Sequence, residues 1–441
     1  MEIRVNKIII AYSIIVFLFT ACQDGSEKLK SGAGKIGVLF SKFLSTNGST
    51  RATAYMMSNK IITANNKIFV AWLDRVTDIQ MKVYDIKNAS WSETVLVGKG
   101  VDNHSGPTIT MDSVGYLHVV FGPHHGPFQY TRSSRPFDIT EWEPVQYFGI
   151  NGTYPSLIID ANDQLHCTYR GGPEPRRLMY QQKPKNKDWA EPIELAHPGV
   201  DTGYTQYGNS LMIAPDGIIH LGFHIYDRVA PAAGKAIGYL CSKDGGKNWQ
   251  NASGEPIPLP ATPGNPCFIE QGQELDMRCG NVAIDPEGHP WLTAFHNEKE
   301  PRSVTLWHHD GKKWIGKDLL EIVRSKYPEW ELLYSSITFD SDGLLYSASA
   351  IQKKFGSTYW GDPSLEIILL TSADRGTTFE IDPISKVDPN LPNWLPNIER
   401  PYGPKLIGVP SFLYTHGGPG IALTEGDATE VIFVRLGRNK L

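Results

Sequence analysis

The feature that most constrains the fold is a repeated unit, a polar turn followed by a short apolar strand. Repetition near 50 residues with several strands in each unit is typical of β-propellers. A degenerate seventh copy begins at Glu425. The sequence therefore predicts an all-β fold, a seven-bladed β-propeller. Six copies align on one turn residue at steps of 48 to 71 residues: Asn66, Gly115, Asp163, Gly217, Gly288 and Gly343.

Two further segments have the turn chemistry of such a fold. SKDGGKNW at residues 242–249 has the form S-x-D-x-G-x-x-W, and SADRGTTF at residues 372–379 ends in Phe instead. Both resemble Asp-boxes, hairpin turns of sialidase-like propellers in which the Asp caps turn amides and the aromatic ring fills the blade. Helical periodicity is scarce, and one short helix is predicted within Lys317–Lys326. The Pro-rich segments Pro256–Gly280 and Asp388–Pro404 are predicted to be loops that wall a groove.

The N-terminus resembles an export signal. Arg4 and Lys7 precede the apolar run Ile8–Phe19, which is too short for a membrane span and ends in FTAC. FTAC resembles a bacterial lipobox, which implies cleavage before Cys22 and lipidation of its thiol. An ordinary signal peptide with a chance cysteine is the alternative.

The chain divides accordingly into three expected parts. Residues 1–21 would be the lipoprotein signal peptide, 22–34 a polar flexible tether, and 35–441 one propeller domain. We expect an exported bacterial lipoprotein at the outer membrane or cell surface, with the periplasmic face as the alternative. Its contact with the membrane would be through the lipid anchor only.

Composition excludes some partners. The net charge is −5 and there is no basic block, so nucleic acid is not an expected partner. The 11 Trp and 19 Tyr residues suit carbohydrate contact, but they suit an aromatic-rich β core equally well. We expect a monomer.

Polar chemistry is concentrated in residues 102–130, DNHSGPTITMDSVGYLHVVFGPHHGPFQY. His104 and the pair His124–His125 lie in loops on either side of a strand predicted at Tyr116–Phe121. Polar clusters in loops that bracket an apolar strand favour a shared functional site. Three other histidines recur at one place in successive repeats, and this periodicity indicates a structural role: His118, His166 and His220.

Four motifs carry a resemblance to a known family. DNHSGP, YLHVVFGPHHGPFQY, GTYPSL from Gly152 and LHCTYR ending at Arg170 resemble the propeller-type ulvan lyases of polysaccharide lyase families 24 and 25. The likeness covers most of residues 60–300. It implies a lyase that cleaves a sulfated uronic-acid polysaccharide, such as ulvan, by β-elimination and leaves a 4,5-unsaturated uronate. It also implies that catalysis requires no cofactor and that the catalytic residues are His104, His124, Tyr154 and Arg170.

These residue types suit the reaction. A uronate lyase must neutralise the carboxylate, remove the C5 proton and protonate the departing O4. Arg170 can grip a carboxylate, and histidine and tyrosine can exchange protons. In one division His104 and Tyr154 form the acid–base pair and Arg170 neutralises. In the other, Tyr154 exchanges both protons while His104, His124 and Arg170 hold the carboxylate. We favour the first division.

Sugar contacts are expected from His125, Tyr207 and Arg228. We expect only one of the adjacent side chains of His124 and His125 to face the groove. Tyr207 precedes Gly208-Asn209, where relatives often carry larger residues, so the subsite contacts depart from the family pattern. For Arg170 the alternative is a surface ion pair with Glu174.

A structural zinc is implied by the family at Cys267, Asp276 and Cys279. The spacing matches no standard zinc-finger pattern, and a disulfide between Cys267 and Cys279 explains the same residues. Both alternatives stay open at this point.

Two other function classes compete with a lyase. One is a propeller glycoside hydrolase of the rhamnosidase or sialidase type, which the Asp-boxes alone do not establish. The other is a glycan-binding lipoprotein without catalysis. The presence of His104, Tyr154 and Arg170 argues against the second.

Overall fold

The computed structural model describes residues 35–199, 205–206, 208–227, 236–271, 277–296, 299–353, 360–418, 424 and 426–439. The expected signal peptide and tether, with Cys22, lie outside the described residues. So do Tyr207, Arg228 and Asp276. No helix in the described ranges is long and apolar enough to cross a lipid bilayer.

The described residues form β-strands almost throughout, with a single-turn helix α1 (Leu320–Arg324) where a short helix was predicted. In chain order the strands are β1 (Ile36–Gly48), β2 (Ile61–Ala64), β3 (Lys67–Leu73), β4 (Asp78–Asp85), β5 (Ser90–Trp91), β6 (Val95–Lys99), β7 (Thr108–Met111), β8 (Leu117–Phe121), β9 (Gly126–Arg132), β10 (Gln146–Ile159), β11 (Leu165–Gly171), β12 (Arg177–Lys183), β13 (Ile193–Ala196), β14 (Thr205–Gln206), β15 (Asn209–Ile213), β16 (Ile219–Asp227), β17 (Ala236–Ser242), β18 (Phe268–Gln271), β19 (Met277–Ile284), β20 (Pro290–His296), β21 (Ser303–His309), β22 (Trp314–Asp318), β23 (Trp330–Phe339), β24 (Leu345–Lys353), β25 (Glu366–Ser372), β26 (Glu380–Pro383), β27 (Asn393–Ile398), β28 (Ser411–His416) and β29 (Thr429–Arg438).

These strands form antiparallel sheets that follow one another along the chain. The sheets are β2–β6, the seven-stranded β7–β13, β14–β18, β19–β22, β23–β26, and β27–β29 with β1. Strand β1 pairs with β29, for example Phe43 with Ile432, so the first strand completes the last sheet and closes the ring. The fold is therefore a β-propeller.

The predicted repeat corresponds to a real structural unit. Each of the six aligned turn residues joins two consecutive, paired strands in a hairpin, and all have a positive φ between 56° and 108°. The seventh copy was placed wrongly, because Glu425 leads into β29, the third strand of its sheet. That sheet takes its strands from both ends of the chain, so its repeat is interrupted in sequence. The prediction that Asp388–Pro404 is a loop was also wrong, because it contains the buried strand β27.

Both Asp-box turns form as predicted. The Asp244 carboxylate accepts hydrogen bonds from the amides of Lys247 (3.1 Å) and Asn248 (2.9 Å), and Trp249 is buried behind the turn. In the second box, Asp374 accepts from the amide of Thr378 at 2.8 Å.

The periodic histidines are structural, as predicted. Each lies buried on the strand that follows an aligned turn, and its Nδ1 meets the hydroxyl of a tyrosine on the next strand. The pairs are His118–Tyr130 at 2.8 Å, His166–Tyr180 at 2.6 Å and His220–Tyr239 at 2.6 Å.

The hydrophobic core lies between neighbouring sheets. One cluster, for example, joins Phe69 and Ile79 of the β2–β6 sheet to Ile109 and Phe121 of the next sheet. Burying each side chain of this size contributes about 1.5–3 kcal/mol. A rigid ring of packed sheets leaves the connecting loops free to carry a site.

Candidate active site

The site is built on Asp102, in the loop between β6 and β7. Its Oδ1 accepts hydrogen bonds from the backbone amide (2.7 Å) and Nδ1 (3.0 Å) of His104. Its Oδ2 accepts from Nδ1 of His124 at 2.6 Å. Because an ionised carboxylate only accepts, both imidazoles carry a proton on Nδ1 and turn Nε2 away from Asp102.

The three site histidines form a stack. The ring centroids of His104 and His124 are 3.9 Å apart, and those of His124 and His125 are 4.3 Å apart. His125 has a left-handed backbone with φ 67°, and its amide donates to the carbonyl of Gly152 at 3.1 Å. This backbone brings adjacent side chains to one side, so the expectation that only one would face the groove was wrong.

Burial, hydrogen bonds and nearby charges shift the pKa values of Asp102 and His104. Burial acts to raise the pKa of Asp102, but hydrogen bonds from His104 and His124 hold it well below its usual range. Burial lowers the pKa of His104, and the charge of Arg51 lowers it further, against the opposing hydrogen bond to Asp102. His104 is therefore a neutral imidazole with a lone pair on Nε2.

Arg51 was not predicted, and it covers that lone pair. It lies in the loop between β1 and β2, with Nη1 2.8 Å from Nε2 of His104 and 3.0 Å from the hydroxyl of Tyr55. Its guanidinium lies over the ring of Trp360 at 4.9 Å. Among the described residues, nothing forms a hydrogen bond with Nε2 of His124.

Tyr154 lies where β10 passes from one partner strand to the next. Register shifts flank it, between Phe148 and Gly152 against β9 and between Thr153 and Ser156 against β11. Its φ of 60° is in the left-handed region, a conformation that costs on the order of 1–3 kcal/mol in a non-glycine residue.

The strained backbone turns the Tyr154 ring into the site. The ring is 5.0 Å from that of Tyr55 and 6.1 Å from that of His104. The carbonyl of Tyr154 accepts from Nδ2 of Asn209 at 3.0 Å, which holds the strand in this conformation.

Arg170 is buried beside Tyr154. Its side chain is 2% exposed, and it pairs across the strands with Thr153. The alternative surface ion pair with Glu174 was wrong, because Glu174 binds Arg176 instead, at 2.8 Å.

Arg170 and Arg176 form a cationic rim. Nη1 of Arg170 lies 3.5 Å and Nε of Arg176 3.4 Å from Nδ1 of His125. The pKa of His125 is lowered to about 4, first by partial desolvation of its ring and then by the charges of His124, Arg170 and Arg176. An anionic substrate would meet the positive charge of the two arginines here.

The structure thus brings five predicted residues into one site: His104, His124, His125, Tyr154 and Arg170. The sequence reasoning missed Asp102, Arg51, Tyr55, Arg176 and Trp360. Asp102 carried a signal, because an aspartate two residues before a loop histidine can orient its ring. Arg51 and Tyr55 carried none.

Of the three predicted zinc ligands, Cys267 and Cys279 lie in the described part of the chain and Asp276 lies outside it. Cys267 and Cys279 are buried free thiols in two different hydrophobic clusters, so the alternative of a disulfide between them was wrong. Burial raises the pKa of each thiol to about 12, whereas zinc binds thiolates. Groups with metal-ligand geometry in the described ranges are Asp102–His104–His124 and Asp285–Glu287–His289.

Comparison with known proteins places this site in context. The model of the BNR repeat-containing family matches residues 67–320. An ulvan lyase of Alteromonas sp. (strain LOR) is 23% identical over 357 residues, which cover 68% of this chain and 72% of that protein. An ulvan lyase of Pseudoalteromonas sp. (strain PLSV) is 23% identical over 363 residues, 71% of this chain and 74% of that protein.

The fold is shared with a solved structure. The structure of a PL25 ulvan lyase bound to -[GlcA(1-4)Rha3S]- superposes with a TM-score of 0.66, covering 88% of this chain and 96% of that one. The sequence identity over this match is 17%, so the match is evidence of a shared fold alone.

Proposed function

The chain belongs to the BNR repeat-containing family, and we propose that it is a polysaccharide lyase that cleaves ulvan by β-elimination. One observation carries this proposal: the Asp102 carboxylate with its two histidines, Tyr154 and a buried Arg170 lie in one site. The curated relatives that support the substrate class are ulvan lyases.

Arg170 is the group that neutralises the uronate carboxylate. Its guanidinium stays charged under all relevant conditions and binds carboxylates through two parallel hydrogen bonds. Charge neutralisation makes the C5 proton acidic enough to be removed. Arg176 adds positive charge at the same rim.

His104 and Tyr154 form the acid–base pair. Asp102 fixes the tautomer in which Nε2 of His104 carries a lone pair, as a base requires. In this structure that lone pair accepts a hydrogen bond from Arg51, so base catalysis requires Arg51 to transfer its hydrogen bond to a substrate oxygen. The proton gained by His104 is stabilised by Asp102, and Tyr154 protonates the departing O4.

The reaction needs no cofactor in this scheme, because side chains supply the positive charge and exchange both protons. The structural zinc at Cys267, Asp276 and Cys279 stays a prediction, against which the burial of the two thiols argues.

The test is digestion of ulvan, followed by the ultraviolet absorbance of the 4,5-unsaturated uronate. Other uronate polymers run in parallel define the substrate class. Reducing ends without that absorbance would indicate a glycoside hydrolase, and binding without either product would indicate a glycan-binding protein. Either result would overturn the proposal.

We propose that the propeller has seven blades. Strand β10 pairs with β9 through its first half and with β11 through its second. Dividing the seven-stranded sheet there yields seven units of four or five strands each, in agreement with the repeat. A crystal structure with six or eight blades would contradict this count.

We also propose that the protein is an exported monomer whose propeller, residues 35–441, is tethered to the bacterial cell surface by lipid on Cys22. The FTAC motif supports this placement. Cys22→Ser should release the protein from the membrane fraction, and mass spectrometry of the wild-type N-terminus should show acylation. An unmodified N-terminus would contradict the proposal.

A further inference from the structure

Two buried cations lie next to segments that carry the candidate active site. Lys60, just before β2, is fully buried, and Arg400, just after β27, is 2% exposed. Nζ of Lys60 donates to the carbonyl of Pro107 at 2.7 Å. The positive charge of Arg400 also lowers the pKa of Lys60.

Arg400 reaches across the centre of the propeller. Its Nη1 donates to Oγ of Ser210 on β15 at 3.1 Å, and its Nη2 to the carbonyl of Met57 at 2.9 Å. The sheets of β27 and β15 are not neighbours along the chain, and the first strands of propeller units line the central axis. The guanidinium therefore lies on or near this axis.

Neither cation has a carboxylate partner among the described residues. The neighbouring Glu399 accepts from the amides of Thr63 (2.7 Å) and Ser411 (3.1 Å) and forms no ion pair with Lys60 or Arg400. Burying a charge without a counter-charge is costly, and burial lowers the pKa of Lys60 to about 7 and that of Arg400 to about 9.

A donor at this centre is also unsatisfied. Nε of Arg400 is buried and has no hydrogen-bond partner in the described part of the protein. Native proteins rarely leave such a donor unpaired unless a water or an ion binds it. Two cations and a free donor together favour an anion over water alone.

We propose that a small inorganic anion of the halide class, chloride in ordinary solution, binds at the centre of the propeller between Lys60 and Arg400. A halide suits the site because a spherical anion accepts from ammonium and guanidinium donors in any direction. Its charge offsets the mutual repulsion of Lys60 and Arg400. This inference does not depend on the proposed reaction.

The anion would also support the loops of the active site. Lys60 holds Pro107, three residues beyond His104. Arg400 donates a hydrogen bond to the carbonyl of Met57. The next residue, Ser58, donates from Oγ to the carbonyl of Pro155, which follows Tyr154, at 2.6 Å. Halide binding therefore stabilises the backbone at Pro107, after His104, and at Pro155, after Tyr154.

The direct test is crystallography of the wild-type protein in sodium bromide, with data collected at the bromine edge. An anomalous peak within hydrogen-bond distance of Nζ of Lys60 and the Arg400 guanidinium is expected. Density for water alone at this position, without an anomalous signal, would overturn the proposal.

The solution test is thermal unfolding in a chloride titration, with gluconate replacing chloride to hold ionic strength constant. Chloride should raise the wild-type Tm by about 2 °C or more at saturation. Lys60→Met should remove this dependence, whereas the exposed control Lys312→Met should keep it. A wild-type Tm that does not respond to chloride would contradict halide binding, and this result does not depend on whether Lys60→Met folds.

Discussion

Histidines occupy two different regions of this propeller, and the groups that their Nδ1 atoms bind differ between the regions. His118, His166 and His220 lie inside strands and meet tyrosine hydroxyls. His104 and His124 lie in loops and share one ionised carboxylate, Asp102. The strand histidines repeat because each unit packs in the same way, whereas loops are shaped independently in each unit. A histidine outside the repeat was therefore the better functional candidate.

His220 and His104 also differ in protonation. Burial lowers the pKa of His220 to about 4, and the weak attraction of Asp216 does little to offset this. Burial also lowers the pKa of His104, but the hydrogen bond to Asp102 stabilises its imidazolium. One ring is kept neutral as a packing element, while the other can accept a proton with its charge compensated.

The largest expected effect belongs to the site tyrosine. Tyr154→Phe should lower kcat on ulvan by about 10³-fold while leaving glycan binding intact, because the phenol only exchanges a proton. Tyr130→Phe, which removes the hydroxyl that binds His118, is the matched control and should keep near-normal kcat. Equal losses of kcat in the two variants would contradict the assignment of different roles to Tyr154 and Tyr130.

Asp102→Asn tests the shared carboxylate. It should lower kcat by about 10²-fold, because the amide cannot fix both imidazole tautomers or stabilise the imidazolium of His104. Initial rates and thermal unfolding should be measured together. A loss of rate that merely follows a loss of folded protein would contradict a positioning role for Asp102.

Arg51→Met tests how His104 is tuned. Burial remains, but loss of the nearby positive charge should raise the pKa of His104. If neutral His104 is the base, the acid limb of kcat/KM should move to higher pH, by up to about one unit. Arg132→Met, which breaks an ion pair with Glu143 away from the site, should leave the limb in place. An unchanged limb in Arg51→Met would instead favour Tyr154 as both base and acid.

The smallest effect on activity is expected at a strand histidine. His220→Phe should lower the free energy of unfolding by about 1–3 kcal/mol, because the buried Tyr239 hydroxyl loses its partner. Its kcat per folded molecule should not change. Denaturant unfolding and active-site titration measure the two quantities separately.

Acid should destabilise the protein through the same residue. The unfolded chain protonates His220 near its ordinary pKa of about 6.5, whereas the folded protein does so only near 4. Stability from this group is therefore full above about pH 6.5 and falls as pH decreases towards 4, by up to about 3 kcal/mol. His220→Phe should show a shallower acid dependence of unfolding.

Much of the fold was predictable because its rules are local. A hairpin turn with a positive φ needs Gly, Asn or Asp, so six such turns were visible as a period in the sequence. The two Asp-boxes were visible for the same reason. The seventh repeat was misplaced because its sheet combines β1 with β27–β29, a pairing between the chain ends.

The site was predictable only in part. His104 and His124 lie in one unit, and Tyr154 and Arg170 lie at corresponding places in the next, so the repeat itself indicated that these side chains meet. The Pro-rich context of β27 hid a buried strand, since its hydrogen bonds come from β28 and not from its own segment.

By itself, the sequence determined the repeat, the turns, the periodic histidines and the loop residues of the candidate site. Tertiary structure alone decided that Arg51 covers His104, that Asp102 joins two histidines and that Lys60 and Arg400 are buried. The physical reason is distance along the chain. Each residue type and its immediate neighbours determine local conformational preferences. These contacts arise only when closure of the ring brings distant loops and strands together.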